Sequence, residues 1–349
     1  MIDSLQQQLI FEESSFSELQ QHLQAQHFSK LFIILDENSQ KHCWTLLKSV
    51  FADLDPHCLV LGQGESQKSL ETVQNCYEFL TQHQADRQSL LISLSGGLLS
   101  DLAGFVAATY KRGIQFAIIP TTLLSMCDAA IGGKTGVNFQ AFKNHIGAFY
   151  PAKWVYINPV FLKTLSDFEL LSGKGELIKY ALIAKPEMLK ELEEKQISLA
   201  LIKDAVDIKL EICKKDFREK AERKFLNFGH TFGHAIESLL YSTRKVSHGH
   251  CVAIGMMVAL ECSSLLSLLP ENKAEEAINF IAEQFDFIAL DQQELASAMN
   301  ILMQDKKNQS GKIMMVLLTD FGTAVYDVEV QAELISKAYL NLKAKYQLS

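Results

Sequence analysis

The amino-acid sequence predicts a Rossmann-like α/β domain with a parallel sheet, followed by a mostly α-helical domain. Apolar runs of strand length at residues 31–35, 58–61 and 90–94 alternate with helical patterns through the first half of the chain. This alternation is typical of a parallel sheet with helices on both faces. Long helical patterns then replace the strand-like runs. We expect the α/β domain over residues 1–163, the helical domain over residues 164–349, and a small-molecule site in a cleft between them.

The other elements follow from the same apolar patterns. Residues 1–30 are typical of an edge strand followed by an amphipathic helix, and a helix is expected near residues 44–51. In the second half, helical spacing predicts helices over residues 169–184, 186–195, 199–215 and 232–240. The apolar stretch 251–269 is interrupted by Glu261, so we expect a buried core helix there rather than a membrane span.

Composition narrows the class of protein. The formal net charge of −8 argues against a nucleic-acid partner, because a phosphate backbone requires a basic face. The seven cysteines are odd in number and widely spaced, and they contain no Cys-x-x-Cys pair. Such cysteines favour reduced thiols and a cytoplasmic protein over a disulfide framework.

A glycine turn marks a candidate anion site. Gly96 and Gly97 separate the apolar run at 90–92 from a helical pattern that begins at Leu98. A helix N-terminus after such a turn directs unpaired N–H groups at an anion such as a pyrophosphate. Two adjacent glycines fit an ordinary tight turn equally well. Asp36, at the end of an earlier strand, is likewise either a ribose contact or a helix cap.

Downstream of this turn, cations are concentrated in a stretch that we expect to be a polar loop. The sequence Gly-Gly-Lys-Thr-Gly at 132–136 resembles half of a P-loop but lacks its first glycine, so it does not indicate a nucleoside triphosphatase. Lys134, Lys143 and Asn144 are typical ligands of a phosphate or carboxylate. For either lysine alone, a solvated surface charge is the better explanation, but the three groups together in a glycine-rich, otherwise apolar stretch favour a site.

The histidines indicate a metal. His230 and His234 are four residues apart on one predicted helical face, and His248 and His250 follow shortly afterwards. Four of the ten histidines therefore fall within 21 positions, a density suited to a divalent ion. Their spacing alone does not choose among the four.

Several of these motifs together resemble the signature series of the 3-dehydroquinate synthase family, which belongs to the sugar phosphate cyclases. The resemblance covers about residues 36–307. It includes Asp101, Arg112, Pro120 with Thr121 and Thr122, Asp128, the run 132–138, Lys143 with Asn144, and Glu176 with Lys179.

The resemblance implies a dehydroquinate synthase-like fold and a phosphorus–oxygen lyase of the shikimate route to aromatic amino acids. The implied substrate is 3-deoxy-D-arabino-heptulosonate 7-phosphate, and the products are 3-dehydroquinate and phosphate. The implied route is transient NAD-dependent oxidation, phosphate elimination, re-reduction and intramolecular aldol closure. The implied cofactors are NAD and a divalent metal, zinc or cobalt.

The resemblance also assigns residues. The implied metal ligands are Glu176, His230 and His248. The implied NAD contacts are Asp36, Asn38, Glu65, Lys68, Gly96, Gly97, Asp101, Thr121, Thr122, Asp128, Lys134, Lys143, Thr164 and Leu165. The implied catalytic and substrate-binding residues are Arg112, Lys134, Asn144, Lys179, Lys209, Arg223, Asn227, His234 and Lys306, with Lys307 as the alternative to Lys306. Among these, Arg223 and Lys209 would hold the substrate carboxylate, and Arg112 would reach the neighbouring subunit of a homodimer.

The chain departs from the family pattern in two places. Ser95 and Ser100 replace glycines, and His250 replaces a glutamate of a His-Gly-Glu motif. The second change removes a carboxylate that would orient the metal site, and it adds an imidazole that competes as a ligand. Alternatives are therefore a sibling cyclase using a sedoheptulose-type substrate, a metal-dependent polyol dehydrogenase, and a catalytically silent relative.

Overall fold

The computed structural model describes residues 5–140, 142–194, 196–241, 243–304 and 312–347. Two compact units divide the chain: Met1–Leu170 with Ser198–Phe217, and Leu171–Ile197 with Arg218–Ser349. The boundary that we expect at residues 163 and 164 stays a prediction. The strands are β1 (Gln8–Phe11), β2 (Leu31–Asp36), β3 (His57–Leu61), β4 (Leu90–Ser95), β5 (Gln115–Pro120), β6 (Lys134–Phe139), β7 (Phe142–Phe149), β8 (Trp154–Ile157), β9 (Lys312–Asp320) and β10 (Thr323–Gln331).

Thirteen α-helical segments are present in the described residues. They are α1 (Ser17–Ala25), α2 (Glu37–Ser39), α3 (Thr45–Leu47), α4 (Leu70–Gln82), α5 (Gly97–Thr109), α6 (Asp167–Ile183), α7 (Met188–Leu192), α8 (Leu199–Lys215), α9 (His230–Leu240), α10 (His248–Leu265), α11 (Glu271–Gln284), α12 (Gln292–Gln304) and α13 (Ala332–Tyr346). Short 3₁₀ helices that bear on the site are Glu65–Gln67, Tyr110–Arg112, Pro159–Thr164 and Glu222–Asn227.

The first unit is built on a six-stranded parallel sheet, which confirms the predicted fold class. Its strand order is β1-β8-β5-β4-β2-β3, and every neighbouring pair is parallel. The central strands are mainly apolar, as expected where both faces of a sheet are covered, and all six residues of β4 are buried, including Ser93 and Ser95. Chain order reverses between β2 and β4. Ligands of open parallel sheets bind outside the carboxyl ends of the strands at such a switch point.

The second unit is mainly helical, as predicted. Helix α10 is its central element, and the predicted core helix at 251–269 corresponds to it, since most of its residues are buried. Helix α8 of the first unit has the predicted bounds, 199–215. None of the helices in the described ranges is both long and apolar enough to cross a membrane.

Two antiparallel hairpins were not predicted. Strands β6 and β7 form one hairpin in the stretch where we expect a polar loop, and β9 and β10 form another in the second unit. In β7 the first four residues are exposed, so the strand lacks the apolar alternation on which a sequence-based prediction depends. The expected polar loop is therefore wrong for residues 134–139 and 142–149.

The environment of His22, on α1, makes the stability of the fold depend on pH. Its ring lies edge-on to Trp154 at a centroid distance of 5.2 Å, and burial, followed by the nearby Lys153 charge, lowers the pKa of His22 below its ordinary 6.5. The unfolded chain therefore takes up a proton near pH 6.5 that the folded chain resists, and stability present above that pH is lost below it. We expect the melting temperature of His22→Phe, relative to the wild type, to improve as the pH falls from about 7.5 to about 5.5. Thermal melts of both proteins across this range test it, and a constant difference would contradict it.

Candidate active site

All of the residues predicted to contact NAD, except Lys134 and Lys143, follow the carboxyl ends of five parallel strands. Asp36 and Asn38 follow β2; Glu65 and Lys68 follow β3; Gly96, Gly97 and Asp101 follow β4; Thr121, Thr122 and Asp128 follow β5; Thr164 and Leu165 follow β8. Carboxyl ends of parallel strands meet at one edge of the sheet, so these segments share that edge. This edge includes the switch point between β2 and β4. The NAD contacts themselves stay predictions.

Local geometry supports an anion site at the turn after β4. Helix α5 begins at Gly97 with Gly96 as its N-cap. A side chain at position 97 would place its Cβ 2.7 Å from the Cβ of Ala129, so only glycine fits without a shift.

The Asp36 carboxylate accepts hydrogen bonds from the backbone N–H of Ser39, at 2.7 Å, and from its hydroxyl. Asp36 therefore caps α2 at the strand end where a ribose contact was predicted.

Two ion pairs, each with a buried lysine, involve these segments. The Lys68 ammonium lies 2.7 Å from the Asp101 carboxylate. Burial raises the pKa of Asp101, although the Lys68 charge opposes this. The Lys209 ammonium contacts both the Asp128 carboxylate, at 3.0 Å, and the Asp128 carbonyl, at 2.7 Å. Lys209 belongs to α8 and to the first compact unit, and its predicted role at the substrate carboxylate stays a prediction.

The β6–β7 hairpin carries the cations of the glycine-rich stretch. Lys134 is the first residue of β6 and is exposed. Lys143 lies on β7, with its ammonium 4.0 Å from the Glu65 carboxylate. Asn144 follows it with a φ of 52°, a left-handed conformation that asparagine adopts more readily than most residues. The hairpin thus holds Lys143 and Asn144 on a defined strand.

In the second unit, Glu176, His230 and His248 converge. The Glu176 Oε1 lies 3.5 Å from Nε2 of His230 and 3.4 Å from Nε2 of His248. Two ligands of a tetrahedral zinc ion, each about 2.0–2.1 Å from the metal, lie roughly 3.3–3.4 Å apart. The distances from the carboxylate to the imidazoles therefore match two edges of a zinc coordination shell. His234 is close by, since the ligand atoms of the three histidines all lie within 4.8 Å of one another.

Three helices position these groups. Glu176 is on α6 and fully buried, His230 is the first residue of α9, and His248 is the first residue of α10. A Cβ at Gly249 would lie 1.8 Å from the Ser172 carbonyl oxygen, so this glycine allows the first turn of α10 to approach α6. The close approach places His248 beside Glu176.

A carboxylate that the sequence analysis missed orients His248. The Nδ1 of His248 lies 3.0 Å from Glu237 Oε2. The Nδ1 of His230 lies 3.1 Å from the Phe228 carbonyl oxygen. An acceptor at Nδ1 leaves the lone pair of Nε2 directed at an ion, and such partners strengthen imidazole ligands. Glu237 follows His230 by seven residues and His234 by three, so its place on their helical face was a usable signal.

The two imidazoles differ in basicity. Burial lowers the pKa of His230 to about 3, so its ring is neutral at physiological pH. Burial also opposes the charge on His248, but hydrogen bonds to Glu176 and Glu237 outweigh it and raise the pKa of His248 to about 10. A metal ion held by these residues would bind His248 through the nitrogen that the proton occupies, so that binding would be coupled to release of this proton.

Other predicted catalytic residues lie on the helices of this cluster or in the short helix that precedes α9 in the chain. Lys179 is one helical turn after Glu176, forms an ion pair with its Oε2, and is buried. The exposed His234 ring lies 5.0 Å from the His230 ring between centroids. Asn227 donates from Nδ2 to the Glu219 carboxylate at 2.7 Å, and Arg223 is buried in the same short helix.

Arg112 and Lys306 are the remaining predicted catalytic residues. Arg112 is exposed in the segment after α5, and its φ of 66° follows a φ of 49° at Lys111. Lys306 and its alternative Lys307 lie outside the described residues.

His250 does not enter the imidazole cluster among the described residues. Its Nε2 lies 2.6 Å from the Asp286 carbonyl oxygen, to which it donates, and its ring packs near Phe285. Since Glu237 meets His248 directly, the glutamate missing at position 250 is not required to orient that ligand.

We therefore expect replacement of His250 to change the free energy of unfolding but not the metal content. His250→Glu replaces the donor to the Asp286 carbonyl with an acceptor, and we expect it to cost about 1 kcal/mol of unfolding free energy. His250→Gln retains a donor and serves as the control. Denaturant unfolding and metal analysis test this. A gain of bound metal in His250→Glu would contradict it.

Comparisons with known proteins identify the family of the chain. The family model for the 3-dehydroquinate synthase N-terminal region matches residues 58–172, and the model for the C-terminal region matches residues 173–308. A 3-dehydroquinate synthase from Parabacteroides distasonis is 37% identical over 327 residues, which is 91% of this chain and 93% of the relative. One from Pyrococcus furiosus is 38% identical over 320 residues, 88% of this chain and 91% of the relative.

Among solved structures, a 2-deoxy-scyllo-inosose synthase complexed with carbaglucose-6-phosphate, NAD+ and Co2+ superposes with a TM-score of 0.84. It is 25% identical, and the match covers 95% of this chain and 96% of that one. The two family models lie end to end over residues 58–308, and the Parabacteroides relative covers 91% of the chain. The chain belongs to the 3-dehydroquinate synthase family.

Proposed function

We propose that the protein converts 3-deoxy-D-arabino-heptulosonate 7-phosphate to 3-dehydroquinate and phosphate, with NAD and a zinc or cobalt ion as cofactors. The observation that carries this proposal is the set formed by Glu176, His230 and His248, with Glu237 behind His248. Three protein ligands leave a coordination position for substrate, as a catalytic metal site requires. Relatives that share most of the chain's length are 3-dehydroquinate synthases, which supports the same substrate.

The metal-binding residues define one part of the chemistry. The ion supplies Lewis-acid polarisation of a substrate hydroxyl, which lowers the pKa of that hydroxyl. His234 is exposed beside the ligands and accepts the hydroxyl proton at a ring nitrogen. The Lys179 ammonium pairs with the buried Glu176 carboxylate and compensates its charge.

The first unit supplies the groups that bind NAD and the substrate phosphate. NAD supplies a hydride acceptor that is restored within each turnover. The N–H groups at the start of α5 bind its pyrophosphate, and the segments after β2 and β3 bind the remainder. Lys134 and Asn144 on the hairpin hold the substrate phosphate, as charged and amide donors suit its oxygens.

Two finer predictions belong to this proposal. Arg112 reaches the neighbouring subunit of a homodimer, and its exposed position with two successive left-handed residues supports a special role for this segment. A cytoplasmic location is the second prediction, and it fits the observation that the seven cysteines, all within the described residues, form no disulfide bond with one another.

A phosphate-release assay tests the function. Purified protein with NAD, zinc or cobalt, and the heptulosonate phosphate should release phosphate without net accumulation of NADH. A chelator should stop the release, and added metal should restore it. NADH accumulation without phosphate would favour a polyol dehydrogenase. Turnover of sedoheptulose 7-phosphate in place of the heptulosonate would favour a sibling cyclase.

A further inference from the structure

Asn138, near the end of β6, connects two segments that the proposed function assigns to different ligands. Its backbone N–H donates to the Lys68 carbonyl at 2.8 Å, and its Nδ2 donates to Glu65 Oε1 at 2.7 Å. Its Oδ1 accepts the backbone N–H of Asn144 at 2.9 Å. One half-buried side chain thus joins the segment after β3 to the second strand of the hairpin.

The hairpin is irregular at this point. Val137 pairs with Ile146, and Phe139 pairs with Phe142, so Asn138 alone lies opposite residues 143–145. An insertion of this kind bends a strand and redirects its side chains, and it leaves backbone groups outside the regular ladder. The Asn138 amide oxygen accepts the N–H of Asn144 in place of a strand neighbour. Asn138 therefore stabilises the left-handed conformation at Asn144.

The same irregular segment carries the groups assigned to ligands. Asn144 and the adjacent Lys143 lie within it, and the Lys143 ammonium approaches the Glu65 carboxylate that Asn138 holds. Lys68, whose carbonyl accepts from Asn138, is fixed at its other end by Asp101. A displacement of Asn138 would thus move Glu65 and Asn144 together.

We propose that Asn138 is a positioning residue that couples NAD binding to sugar-phosphate binding. Its amide group is required because it must donate to Glu65 and accept from Asn144 at once. The identities of the two ligands rest on the proposed function, but the coupling of Glu65 to the hairpin does not.

Two substitutions distinguish the hydrogen bond that Asn138 donates to Glu65 from the one that it accepts from Asn144. Asn138→Ala removes both side-chain hydrogen bonds. Asn138→Asp retains an acceptor for Asn144 but places a carboxylate against Glu65, which it repels. Thr135→Val is the matched control, because it deletes another hydrogen bond of the same hairpin, from Thr135 to the Ala148 carbonyl, and keeps the side-chain volume.

Three measurements test the proposal. Titration calorimetry gives the Kd for NAD, and steady-state kinetics gives the KM for the heptulosonate phosphate. Amide hydrogen exchange of residues 142–149 reports the stability of the second hairpin strand. We expect both Asn138 variants to raise the Kd for NAD about tenfold and Asn138→Ala to raise the KM about tenfold, with faster hairpin exchange. Adding Glu65→Gln to Asn138→Asp restores a donor–acceptor pair with reversed polarity, and we expect slower exchange than in Asn138→Asp alone.

The proposal is overturned if both Asn138 variants keep wild-type exchange rates and a Kd and KM within about twofold. It is also overturned if Thr135→Val changes them equally. A wild-type protein that releases no phosphate contradicts the proposed function instead, and the exchange rates then still decide whether Asn138 holds the hairpin.

Discussion

Glu176→Gln is expected to lower kcat/KM by about a thousandfold or more and to remove most bound metal. A neutral amide is a much weaker ligand than a carboxylate, and both histidine ligands face this one oxygen at 3.4–3.5 Å. The substitution also leaves the buried Lys179 without its charge partner Glu176, which costs about 3–5 kcal/mol of stability. Metal analysis, phosphate release and denaturant unfolding measure the three effects.

A double variant separates the loss of metal from the loss of folding. Glu176→Gln combined with Lys179→Met removes both buried charges, so we expect it to recover much of the stability. It should remain without metal and inactive. Full metal content in either folded variant would show that Glu176 is not a ligand.

Glu237→Gln is expected to weaken zinc or cobalt binding about 10- to 100-fold. The carboxylate accepts from Nδ1 of His248 at 3.0 Å, which fixes the tautomer and increases the basicity of the ligand nitrogen. Chelator competition measures the change in affinity. Glu261→Gln is the control, because Glu261 lies on α10 and bonds only to Asn341 among the contacts described for it. An equal loss of metal affinity in both variants would show that Glu237 acts only through the net charge of the protein and not through its contact with His248.

The sequence predicted the parallel sheet because its strands are short apolar runs followed by polar residues. Leu31–Asp36 and Leu90–Ser95 are examples, and their ends carry Asp36 and the Gly96 turn. The order of strands could not be predicted in this way, since it depends on pairing between distant segments. The position of the switch point, between β2 and β4, became visible only with that order.

The metal site was predicted in part. The spacing of His230 and His234 predicted a shared helical face, which α9 confirms, but the choice of Glu176 and His248 came from family resemblance. Glu237 was missed because its contact with His248 depends on the packing of α9 against α10. Asn138 was missed for a similar reason, since the irregular β6–β7 pairing gives no periodic signal.

X-ray absorption at the zinc edge of the metal-loaded protein tests the central claim most directly. With Glu176, His230 and His248 as ligands, the spectrum should show two imidazole nitrogens and one carboxylate oxygen at about 2.0–2.2 Å. A further oxygen ligand should come from solvent. The histidine scattering should fall from two rings to one in His248→Ala. A shell containing sulfur, or one unchanged by that substitution, would contradict the assignment.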